Sequence, residues 1–132
     1  MRNKLLLTLV SPLLLAGCAT WGPTWSEVTG QRFTRTNINR FPAIIESIDG
    51  GSAFVSDPIR IEPGLRRVQL QGPSMAMGRA GGGDLVNFEL NAEPCKRYYL
   101  NAQMRNNLQT EFEPVIDFVE TIAGCTVPAP AK

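Results

Sequence analysis

The chain has 132 residues, with 13 Lys and Arg against 12 Asp and Glu, and 43% of its residues are hydrophobic. That length fits one domain, and the near-neutral balance excludes binding to nucleic acid or to an anionic surface by bulk charge. There is no histidine, which excludes Ser-His-Asp and Cys-His catalytic arrangements and histidine-based zinc sites.

Met1-Arg2-Asn3-Lys4 places two cations ahead of an apolar run from Leu5 to Ala16, interrupted by Thr8, Ser11 and Pro12. A basic start, about a dozen apolar residues and a small-residue end make the layout of a secretory signal. The run is shorter than the roughly 20 residues that span a membrane. Its end, Leu15-Ala16-Gly17-Cys18, resembles the lipobox of bacterial lipoproteins. The resemblance implies a signal peptide over 1–17, cleavage before Cys18 and a diacylglycerol on the Cys18 sulfur. Ala19, rather than Asp, follows the cysteine; within that family this implies the outer membrane, with the domain facing the periplasm. At about 0.8 kcal/mol per buried methylene, two or three acyl chains hold a protein on a bilayer durably. Loss of Arg2 and Lys4 with the leader takes the formal charge from +1 to about −1.

Residues 18–32 mix Gly, Pro, Ser and Thr with Trp21 and Trp25, and read as a lipid anchor followed by a tether. The two indoles either dip into the headgroup region or pack onto the domain. From Phe33 to about residue 126 the signals are those of strands. "FTRTNI" alternates loosely, and "AIIESI" ends on the turn signal Asp49-Gly50-Gly51. Short β pieces surround Pro58, and Pro63-Gly64 sets a sharp turn into the alternating "LRRVQLQ". "GPSMAMGRAGGGD" reads as a long glycine-rich loop. "LVNFELNA", "CKRYYLNAQ" and "FEPVIDFVETIAGC" continue the β pattern, the last with Ile116, Phe118 and Ile122 on one parity. Residues 127–132, "VPAPAK", read as a disordered tail. About seven short strands separated by turns predict an all-β chain, a small antiparallel β-sandwich.

"IDG" at Ile48–Gly50, "IRIEPGLRRVQLQG" at Ile59–Gly72 and "VNFELNAEPCKRYYLNAQ" at Val86–Gln103 resemble small β-sandwich modules of PEGA type. The closing segment through Cys125 is similar to bacterial envelope lipoproteins carrying the same two cysteines. These motifs are turns and core strands, so the resemblance implies a fold more than an activity.

With Cys18 assigned to lipid, Cys95 and Cys125 remain, and an oxidising periplasm pairs them. The closed loop of about 31 residues is worth roughly 3.5 kcal/mol in the chain-entropy model. Wide spacing and the lack of a CxxC argue against a redox or metal role.

Glu111, Glu113, Asp117 and Glu120 form a carboxylate cluster. Such groups serve glycoside hydrolysis or calcium, or simply form a solvated face paired with Arg97 or Arg105. Strict alternation puts Glu113 and Asp117 on one face and Glu120 on the other. Met75 and Met77 offer thioethers of the kind that take Cu(I), on a segment that otherwise reads as a plain flexible loop. Arg66, Arg67, Lys96 and Arg97 stand near the starts of two strands and would form a basic edge if those strands were neighbours. Tyr98 and Tyr99 face opposite sides of a strand, one to the core and one outward.

The expected function is therefore a lipid-anchored, non-catalytic interaction module for another envelope protein or complex, without cofactor or structural metal. Contacts are expected among Trp21, Trp25, Arg66, Arg67, Arg97, Tyr98, Tyr99, Met75 and Met77. The alternative is a small-ligand or copper carrier built on the methionine loop.

Overall fold

The computed structural model describes residues 22–53, 56–74, 79–106 and 108–130. The leader, Cys18, Trp21, Met75 and Met77 lie outside the described residues.

Among the described residues there are nine strands and no helix. They are β1 (Ser26–Thr29), β2 (Arg40–Pro42), β3 (Ile44–Ile48), β4 (Gly51–Ser52), β5 (Ile59–Ile61), β6 (Gly64–Ser74), β7 (Arg79–Ala92), β8 (Lys96–Met104) and β9 (Phe112–Thr121). β8 organises the first sheet. One of its sides pairs with β9 along its whole length. Its other side is shared end to end: β1 pairs with Arg97–Tyr99 in parallel, and β2 pairs with Asn101–Gln103 antiparallel. β5 closes this sheet beyond β1. The second sheet is antiparallel, in the order β4-β3-β6-β7.

Alternation explains the core. Tyr98, Leu100, Ala102 and Met104 of β8 point inward and are buried, as are Val68 and Leu70 of β6. Val28, Ile45, Ile61 and Leu90 join all of these but Met104 in the cluster between the sheets. The strand prolines sit where a missing N–H is tolerated: Pro42 on β2, which pairs on one side only, Pro114 on β9, which pairs only with β8, and Pro73 at a register shift of β6. Asp49 and Gly50 both have positive φ and make the two-residue turn between β3 and β4.

Four expectations are corrected. The all-β, two-sheet expectation holds, but the described residues form nine strands rather than about seven, and the first sheet is mixed rather than antiparallel. The mixing comes from β1, which lies within the stretch read as tether and is buried at all four residues. Its partner β8 is some 70 residues away in sequence, well beyond the dozen or so residues that a parallel connection requires. Local pattern does not show which distant strand β1 pairs with. Third, "FTRTNI" is not a strand: residues 30–39 form a strap across the outer face of the first sheet. Asn101, fully buried on that face, donates its Nδ2–H to the carbonyls of Gly30 and Gln31 beneath the strap. Gly30 is required there, because a Cβ would collide with the Ala43 carbonyl. Fourth, the glycine run is not loop but strand. β7 begins at Arg79, and the register against β6 shifts at Pro73, which faces both Gly81 and Gly82. This bulge takes Gly82 to a φ of 82°, a conformation open to glycine.

The expected disulfide is present. Cys95 and Cys125 are bonded, with Cα atoms 5.4 Å apart.

Candidate functional site

The outer face of the first sheet carries a row of charges, one from each of four adjacent strands. Glu27 of β1 lies opposite Arg60 of β5 on one side and Arg97 of β8 on the other. Arg97 in turn lies opposite Glu120 of β9. The signs alternate across the sheet, which is the favourable arrangement for cross-strand pairs. Arg97 anchors the row: its Nε–H donates to Glu27 Oε2 at 2.6 Å and an η nitrogen donates to Glu120 Oε1 at 2.6 Å. The Glu27 side chain is 6% exposed, against 29% for Arg97 and 30% for Glu120. Burial of Glu27 is tolerated because its other oxygen accepts from Trp25 Nε1–H at 2.9 Å and lies 3.9 Å from Arg60 Nε. Arg60 also stands over the Trp25 ring, 4.7 Å from its centre.

Tyr99 extends the row along β8. Its hydroxyl donates to Glu120 Oε1 at 2.9 Å. Its ring meets Phe33 of the strap edge-on at 5.3 Å, and Phe33 stacks on Phe118 at 3.9 Å. Burial, and then the Glu120 hydrogen bond, raise the Tyr99 phenol above its ordinary pKa. The Arg97 guanidinium is held more firmly protonated than usual, chiefly by the Glu27 hydrogen bond.

A separate ion pair locks the distal part of this face. Asp117, whose side chain is fully buried, accepts from Arg40 at 2.8 Å and from Asn37 Nδ2–H at 3.2 Å. Asp117 sits at a β-bulge, where the β8–β9 register shifts between Tyr99 and Leu100. The bulge corrects the simple parity count. Phe118 faces Tyr99 on the outer side and Ile116 faces Leu100 on the core side, so they do not share a face. It also brings Glu113 and Glu120 to the same side, opposite Gln103 and Arg97 respectively.

The carboxylate quartet is thus dispersed. Glu120 serves Arg97, Asp117 serves Arg40, and Glu111 and Glu113 are exposed. Among the described residues no group of three or more His, Cys, Asp or Glu could hold a metal ion. The basic edge is not formed either: Arg66 and Arg67 are on β6 in one sheet, Lys96 and Arg97 on β8 in the other. Arg66 pairs with Asp49 and Glu62 instead. The Arg67 N–H and, after it, the Arg66 guanidinium hold the Asp49 carboxyl below the usual range. Tyr98 is the core tyrosine, its hydroxyl accepting from the Glu93 N–H, and Tyr99 is the outward one. Trp25 is half-buried, its Nε1–H held by Glu27 and its ring covered by Arg60, so part of the indole stays open to the surroundings.

Glu27, Arg60, Phe33, Arg40 and Asn101 were not legible as members of this face. The one available signal was Trp-Ser-Glu-Val-Thr ahead of Gly30, a short alternating run ending on a breaker.

Chemically, the acids and bases of the row neutralise one another at short range, which fixes four strands and the strap as one surface. Comparison with family models, curated proteins and solved structures finds no match to this chain.

Proposed function

We propose that the protein is a lipid-anchored envelope lipoprotein whose β-sandwich acts as a non-catalytic interaction module, held at the periplasmic face of the outer membrane and docking onto another envelope protein or complex. A single observation carries the anchor: the leader with Arg2 and Lys4, its apolar run and Leu15-Ala16-Gly17-Cys18. Three features support the module. The domain is stapled by a disulfide, as suits an oxidising compartment. The acids Glu120 and Asp117 are engaged by Arg97 and Arg40 rather than paired with each other. The resemblance to PEGA-type modules rests on turns and core strands.

The test has two arms. Intact mass of the protein isolated from membranes should show loss of residues 1–17 and acylation at Cys18, and Cys18→Ser should shift it to the soluble fraction. An unmodified Cys18 thiol refutes the anchor. Cross-linking in intact cells should then yield one discrete adduct that Cys18→Ser weakens by removing the protein from its membrane; an unchanged adduct refutes the role of the anchor in docking.

A further inference from the structure

We propose that the sandwich stands on the lipid headgroups by the end that carries the Cys95–Cys125 disulfide, with Trp25, Arg60 and Lys96 toward the bilayer and the β6–β7 hairpin end pointing away. This inference rests on the anchor proposed above.

The path of the chain leads to it. Pro23 to Ser26 is clamped to one end of the domain. The Thr126 N–H donates to the Pro23 carbonyl at 2.9 Å, and the Thr24 hydroxyl donates back to the Thr126 carbonyl. The Cys95 N–H donates to the Trp25 carbonyl at 2.8 Å, and the Ser26 hydroxyl to the Glu93 carbonyl at 2.6 Å. Only five Cα steps then separate Pro23 from Cys18. At about 3.3–3.6 Å per residue, a fully extended chain covers roughly 17 Å. The sandwich is longer than that. β6 leaves this end at Gly64 and has 11 residues, a rise of roughly 36 Å at about 3.3 Å each. A tether half the length of the body, fixed to one end of it, keeps that end nearest the acyl chains.

The side chains at the tethered end suit a headgroup layer. Trp25 offers an indole of the kind that partitions to the interface. Arg60, its side chain half exposed, and Lys96, which bonds Thr121 at 2.9 Å, offer donors to lipid phosphates. Glu62 and Glu93 are exposed at the same end and offset the charge of Arg60 and Lys96, so the short tether rather than bulk attraction sets the orientation. At the far end Ile38 and Leu108 are among the most exposed large apolar residues, at 85% and 88%. On this geometry they face the periplasm.

The experiment uses the mature acylated protein, isolated from membranes, in nanodiscs of phosphatidylethanolamine and phosphatidylglycerol bearing a headgroup nitroxide. Intact mass first establishes whether Cys18 is acylated. Amide signals of Trp25, Arg60, Lys96 and Thr126 should lose most of their intensity, while those of Ile38, Arg105 and Leu108 keep theirs. An acylated sample in which the far-end amides broaden as much as the near-end ones, or in which neither set broadens, overturns the orientation alone. An unacylated Cys18 overturns the anchor and the orientation with it.

Discussion

Replacing Arg97 with Met removes a charge from between two carboxylates and keeps an apolar stem of similar reach. Glu120, about a third exposed, can turn to water. Glu27 cannot: its side chain is 6% exposed, and it would retain only the Trp25 N–H and Arg60 at 3.9 Å. Breaking a fully buried pair costs about 3–5 kcal/mol, and an exposed one about 0–1 kcal/mol. The partners left to Glu27 put Arg97→Met between these limits, at about 2–4 kcal/mol. Glu27→Gln should cost less, about 1 kcal/mol, because Arg97 keeps Glu120 and its own exposure to solvent. The double variant leaves no buried unpaired charge, so it should be more stable than the sum of the single losses implies, by about 1–2 kcal/mol. Urea unfolding with the disulfide intact, compared at constant m, measures all three. Equal costs for the two single variants, or strict additivity in the double, would refute the assignment of Glu27 as the buried, dependent partner.

Three further outcomes are expected. Cys95→Ser/Cys125→Ser should lower stability by roughly 3.5 kcal/mol, the entropy released by opening a loop with a separation of 30 residues; a change below about 1 kcal/mol in urea unfolding would contradict it. Gly30→Ala should destabilise by roughly 1–3 kcal/mol through collision with the Ala43 carbonyl, and hydrogen exchange should locate the loss first in the strap and in Asn101. The Tyr99 phenol, raised above 10.0 in the folded state, keeps its proton longer folded than unfolded. Its contribution is fully present below about pH 10 and is lost as pH rises through the folded value. Denaturation midpoints should therefore fall less steeply in that range for Tyr99→Phe than for the parent, and parallel curves would count against the burial of this phenol.

Strand character was legible wherever side chains alternate against a two-layer core. "LRRVQLQ" and "CKRYYLNAQ" became β6 and β8, with Val68, Leu70, Tyr98 and Leu100 inside. The turn at Asp49-Gly50 and the positive φ of Gly64 were legible for a similar local reason. Pairing of Cys95 with Cys125 followed from counting thiols once Cys18 was set aside. Parity failed at the Asp117 bulge, because one extra residue reverses every later side chain and no residue type announces it.

What lies in local chemistry was therefore available from the order of residues: a β-rich chain, its turns, its disulfide and a leader resembling that of lipoproteins. Tertiary structure alone decided that a four-residue strand within the stretch read as tether would lie parallel to β8, and that Glu27 would meet Arg97 across some 70 residues of sequence. The physical reason is that hydrogen-bonded sheet partners are chosen by the burial of whole faces against each other. That choice sums over distant segments and leaves no mark within any one of them.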